Sequence, residues 1–186
     1  MKNLNRNLVP LALLATLLGL AQPVLAADWR PDGVFVEAGA GDHRAGEATV
    51  GVMWAWDFRK VFWGGELTAD TEVFASHWSA RATEGRRESY TLLGVQPLLR
   101  YRFSQGRSPW FAEAGIGVSV MDNAYNTPAK RQATRFNFYD TIAVGRNFGV
   151  NNKHEVSLRL THLSNADIKK PNPGEEFLAL RYALRF

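Results

Sequence analysis

Residues 154–186 read HEVSLRLTHLSNADIKKPNPGEEFLALRYALRF, two alternating runs on either side of a polar loop containing Pro171 and Pro173. The first run, 154–164, sets Val156, Leu158 and Leu160 on one parity. The second, 175–186, does the same with Leu178, Leu180, Tyr182, Leu184 and Phe186. Side chains that alternate with period two belong to β-strands. Followed to the loop that joins them, the apolar parities carry His162 and Ser164 on the first strand and Glu176 on the second. Three polar groups therefore share the greasy face of two neighbouring strands. Structural residues rarely stand there; an enzyme acting on a lipid would need them there.

Working outward, the same alternation predicts strands over residues 33–41, 48–58, 62–75, 89–103, 109–120 and 135–148, making eight in all. Residues 48–58 are the clearest of these, with Val50, Val52, Trp54, Trp56 and Phe58 opposite Thr49, Met53 and Asp57. Residues 135–148 are the least clear, because Asp140 falls in register with Ile142 and Val144. Pro97 in the fourth strand lacks an amide proton, which points to a bulge or an open edge there. The connections near residues 59, 106 and 151 are short, and those over 42–46, 76–88, 121–134 and 165–174 are longer. Such asymmetry suits an outer-membrane barrel with short periplasmic turns and longer extracellular loops.

The chain has 186 residues and no cysteine, so nothing here relies on disulfides or thiolate metal sites. Residues 1–26 combine Lys2 and Arg6 with an apolar run and a small-residue site at Ala26. They read as a cleaved secretory signal peptide, leaving 27–186 as a single domain. Removing Lys2 and Arg6 takes the formal charge from +4 to +2, too weak a balance to argue for nucleic acid. After the leader no run of 18 apolar residues occurs, which excludes a helical membrane protein. With 12% aromatic residues, the composition fits an all-β, eight-stranded antiparallel transmembrane β-barrel of the bacterial outer membrane, where facing residues alternate between lipid and lumen. A periplasmic sandwich or lipocalin-like barrel is the soluble alternative.

An eight-stranded barrel is filled by side chains and is no porin. Its inward parities carry Asp57, Glu66, Asp70, Glu72, Arg100, Arg102, Glu113, Arg159, Arg181 and Arg185, an expected salt-bridge interior. Trp56, Phe58, Trp63, Trp110 and Phe148 are expected at the periplasmic girdle and Trp78 at the outer one. The C-terminal Phe186 ends an alternating strand, similar to the signal that barrel-assembly machinery reads.

Height gives the polar trio its meaning. At about 3.3 Å per residue and a tilt of about 40°, His162 lies about 20 Å, and Ser164 and Glu176 about 25 Å, above the periplasmic end. The apolar band is itself about 25 Å tall, and polar groups cost only about 0–1 kcal/mol near its rim. Residues i and i+2 of a strand lie about 7 Å apart on one face, and directly opposed residues have Cβ atoms about 5 Å apart. A histidine can therefore serve both a serine and a carboxylate. His162 would take the Ser164 proton while Glu176 orients the imidazole. Asn165, Asn172 and the Gly174 amide are the candidates for an oxyanion hole. Glu175 rivals Glu176, but its parity is inward. His43, His77 and His154 are scattered and suggest no metal, and no cofactor is implied.

His162-Leu163-Ser164-Asn165, followed by Glu176 on the last of eight strands, resembles the lipid A 3-O-deacylase (PagL) family. The resemblance implies a metal-free esterase cutting the 3-O-linked acyl chain of lipid A in lipopolysaccharide. It also implies the roles of base for His162, nucleophile for Ser164 and orienting acid for Glu176, on the barrel's outer surface. The acyl chain would then run along Leu160, Leu158, Leu178 and Leu180. Arg81, Arg86, Arg87, Lys130, Arg131, Arg135, Lys169 and Lys170 are loop cations that either meet substrate phosphates or are simply solvated. Two rival readings remain, a non-enzymatic barrel of the adhesion or membrane-stabilising kind and an outer-membrane phospholipase or acyltransferase. Outer-membrane lipids would surround the band, and a homodimer stays open, since lipid-facing and partner-facing apolar surface look alike in sequence.

Overall fold

The computed structural model describes residues 29–82 and 86–186, so the expected leader at 1–26 lies outside the described residues. Among them, the alternating runs form β1 (Gly33–Gly41), β2 (Gly46–Phe62), β3 (Gly65–Arg81), β4 (Arg87–Arg102), β5 (Trp110–Met121), β6 (Phe136–Phe148), β7 (His154–Ser164) and β8 (Glu175–Arg185). Each pairs antiparallel with its chain neighbour, and β8 pairs with β1 to close the barrel. Closure leaves no unpaired edge, a requirement for any sheet facing hydrocarbon.

Outward positions carry an aliphatic band that includes Val36, Val50, Leu93, Ile142, Leu158 and Leu180, all exposed. Trp63, Trp110 and Phe148 are exposed near the short-turn end, as a girdle requires. The interior has two storeys. Toward the short turns lies the ionic part, with Asp70, Glu72, Arg100, Glu113, Glu155, Arg159 and Arg181 all buried. Toward the long loops Trp78, Tyr90, Tyr125, Leu163 and Phe177 form an apolar plug. Large rings fit because glycines on the next strand lie beneath them; a Cβ on Gly94 would meet Phe74 Cζ at 2.4 Å.

Four expectations need correction. The first turn is not at Arg59-Lys60 but at Trp63-Gly64, with φ of 46° and 75°. The pairing shifts between Ala55 and Arg59, where Trp56, Asp57 and Phe58 face Ala69 alone. Those extra residues lengthen β2, and Gly64 supplies the positive φ that a tight hairpin needs. The amide freed at Ala55 donates to Asp32 Oδ2 at 2.7 Å. Asp57, expected inward, lies in this bulge and is exposed.

Of the stretch expected as a long loop over 76–88, residues 76–81 and 87–88 are ladder, pairing from Ser76↔Leu92 to Arg81↔Arg87. Their outward residues are polar (His77, Ser79, Arg81) and so lack the apolar parity of a membrane strand, yet a hairpin rising into water has no need of it. Trp78, expected at the outer girdle, points inward and is fully buried, edge-on to Tyr125. Of the two readings of Pro97, the locally open edge holds and the bulge does not. The β4–β5 ladder is interrupted there, while Val95↔Val118 and Leu98↔Gly115 keep one register.

Candidate active site

Strand six settles into clean alternation, with Phe136, Phe138, Asp140, Ile142 and Val144 outward between buried neighbours. Strand seven keeps its period through Ser164, with Leu163 buried and His162 and Ser164 half-buried on the outward side. The register then aligns one row across three strands, since Asp140 opposes His162 on β6–β7 and His162 opposes Glu176 on β7–β8. Below it lie two aliphatic rows, Ile142–Leu160–Leu178 and Val144–Leu158–Leu180. Above it, Ser164 opposes Phe138.

His162 Nδ1 is 2.8 Å from Glu176 Oε1, and the two side chains remain 41% and 44% exposed. With Nδ1–H donating to the carboxylate, Nε2 is left as the acceptor. Ser164 stands two positions further along the same face; among the described residues no hydrogen bond joins its Oγ to His162. Such bonds commonly tighten only when substrate is bound.

The loop that follows, residues 165–174, frames the imidazole. Gly174 has φ of 71°, and a Cβ there would lie 2.6 Å from His162 Cε1. The glycine thus gives the ring its berth. Asn165 is buried, and its amide donates to Thr134 Oγ1 at 3.0 Å and to the Lys169 carbonyl at 2.8 Å. Its backbone N–H donates to Asn172 Oδ1 at 2.9 Å. That bond turns the Asn172 amide nitrogen away, where its partner is Asp167 Oδ1 at a long 3.4 Å. Of the oxyanion candidates, Asn165 is committed to holding the loop, and Asn172 keeps the freer donor. Glu175 is buried inside the barrel, as its parity requires.

Two neighbours of the row did not stand out from the sequence. Asp140 carries the same signal as His162, a polar residue in an apolar parity, but in a strand whose phase the sequence leaves ambiguous. Lys130, one loop cation among several, reaches back across 46 residues to Glu176 Oε2 at 3.2 Å. It also lies 3.1 Å from Asp42 Oδ2 and 3.3 Å from Glu175 Oε2. Partial burial works against its charge, but the Asp42, Glu175 and Glu176 carboxylates outweigh that and hold its pKa above the usual lysine value. By contrast, Arg87 is spent on Ser79 and the Arg44 carbonyl, and Arg135 on the Met121 carbonyl.

Half-exposed histidine and carboxylate, a serine beside them, and an aliphatic slope below suit acyl transfer at a lipid surface. The family model described as lipid A 3-O-deacylase (PagL) matches residues 46–185. Two curated relatives named lipid A deacylase PagL are similar along nearly their whole length. The one from Pseudomonas aeruginosa is 30% identical over 182 residues, 96% of this chain and 98% of that relative. The one from Bordetella bronchiseptica is 31% identical over 173 residues, 91% of this chain and 92% of that relative. The crystal structure of the outer membrane enzyme PagL superposes with a TM-score of 0.70 and 28% identity, covering 83% of this chain and 99% of that one.

Proposed function

The chain belongs to the lipid A 3-O-deacylase (PagL) family, and we propose that it removes the 3-O-linked acyl chain of lipid A with Ser164, His162 and Glu176. It is a hydrolase of the bacterial outer membrane, built as a β-barrel. The observation that carries the triad is the 2.8 Å bond from His162 Nδ1 to Glu176, made outside the barrel and two residues from a serine on the same strand face.

The chemistry follows from that bond. Ser164 Oγ attacks the ester carbonyl carbon while His162 Nε2 accepts its proton, and Glu176 stabilises the imidazolium. Asn172 Nδ2, whose bond to Asp167 is a long 3.4 Å, is the side-chain donor freest to turn toward the oxyanion. Collapse breaks the bond to the sugar oxygen, which leaves with the proton from His162 as an alcohol. Water then attacks the acyl-serine with His162 again as base, releasing the fatty acid. The substrate enters sideways from the outer leaflet, its acyl chain lying over the Leu160–Leu178 and Leu158–Leu180 rows. A lipid held in its own bilayer needs no deep pocket, which suits a site on an open barrel wall.

The test is to incubate purified lipopolysaccharide with the refolded barrel and with Ser164→Ala, then weigh lipid A by mass spectrometry. Loss of one 3-hydroxyacyl group with wild type alone is expected. An unchanged mass with folded wild-type protein, or full activity in Ser164→Ala, would sink the reading. Fatty acid released from phospholipid vesicles instead would redirect it to a phospholipase.

A further inference from the structure

The carboxylate of Glu176 is divided between two partners. Oε1 meets His162 Nδ1 at 2.8 Å, and Oε2 meets Lys130 Nζ at 3.2 Å. We propose that Lys130 is a positioning residue, through which the loop between β5 and β6 sets the orientation of Glu176 and so of the catalytic imidazole. This rests on the triad reading above.

Three observations carry it. First, Glu176 is 44% exposed, and the terminal torsion of a glutamate is broad. A single bond to histidine leaves its plane free to swing; a second bond to the other oxygen fixes it. Second, Lys130 is itself held by a tight turn. The Thr127 amide donates to the Lys130 carbonyl at 2.8 Å, and the Lys130 amide donates to Thr127 Oγ1 at 3.0 Å. An Asn126↔Arg131 bridge closes the same turn.

Third, that turn is anchored on both sides. Tyr125 is buried against Trp78 and Tyr90, and the Ala133 amide donates to the Pro171 carbonyl at 3.0 Å in the loop carrying Asn172 and Gly174. The Lys130 side chain is only 12% exposed. An immobilised, largely enclosed ammonium holds geometry in a way a solvated lysine does not.

A purely structural role is the rival, because Lys130 also lies 3.3 Å from the buried Glu175. The two roles separate in steady-state kinetics on lipopolysaccharide micelles with the full refolded barrel. For Lys130→Met, kcat should fall about 10- to 100-fold with KM within about twofold, the cost of a misaligned catalytic group. Lys130→Arg should recover most of that loss, and adding Glu175→Gln to Lys130→Met should not. Recovery by Glu175→Gln, a loss confined to KM, or a kcat within twofold of wild type would each overturn the proposal. If Lys130→Met does not refold, judged by gel mobility without boiling, Lys130→Gln carries the same measurements. Ser164→Ala is assayed alongside: if it is active the triad itself fails, whereas an inactive Ser164→Ala with full-rate Lys130→Met removes only the role of Lys130.

Discussion

The barrel holds two sets of paired charges, and they behave oppositely. Inside, Arg159 meets Glu72 at 2.9 Å, Arg181 also bonds Glu72, and Arg100 grips both oxygens of Glu155 at 2.6 and 2.7 Å. Arg185 bridges Glu155 and Asp70 at 2.6 and 2.9 Å. Arg100 lies over the Phe111 ring and Arg181 over Phe35. Outside, the row Asp140–His162–Glu176 is open on one side, with one short bond within it. Enclosed charges with several partners each fill and fix the barrel. The open row is held more lightly, by the His162–Glu176 bond and by Lys130 on the other Glu176 oxygen, and one side of it stays free. Charge at the rim costs little, whereas breaking an enclosed pair costs a great deal.

Perturbing each set should therefore strike different properties. Glu176→Gln should lower kcat by about four orders of magnitude, since in the proposed triad the acid orients the base without itself reacting; its urea midpoint in detergent should stay that of wild type. Arg159→Met takes a cation from Glu72 at 2.9 Å, Glu113 at 3.6 Å and Glu37 at 3.7 Å and should cost about 3–5 kcal/mol in the same unfolding measurement. The barrel that does fold should keep its rate per molecule. A large rate loss there would erase the distinction between the two sets.

Two milder variants sharpen it. Gly174→Ala adds a methyl 2.6 Å from His162 Cε1 at a left-handed φ, so kcat should fall about tenfold as the ring is displaced. Asp140→Asn should change kcat by no more than about threefold, because no hydrogen bond ties that carboxylate to the imidazole among the described residues. A loss as large as that of Glu176→Gln would mean that both carboxylates flank the base as equals.

Strands seven and eight were legible because lipid on one side and a packed lumen on the other force strict alternation, and His162, Ser164 and Glu176 are exceptions to it. The hairpin over residues 76–88 was not, since above the membrane water accepts polar outward side chains and the alternation fades. Strand length failed at Trp56–Phe58, where a bulge inserts residues without changing parity, which moved the turn to Trp63-Gly64. Trp78 has the nature of a girdle residue, but its parity with Glu72 and Phe74 points inward, and there it lies.

By itself the sequence determined which residues face lipid, hence the barrel, its strand count and the polar trio on its outer face, because period-two patterning is a local property. Only the tertiary structure decided what meets that trio. The alignment of Asp140 opposite His162 depends on the β6–β7 register. The reach of Lys130 to Glu176 depends on a loop folded back over the barrel and fastened at Tyr125 and Ala133. Such contacts join residues far apart in the chain and leave no periodic trace in it.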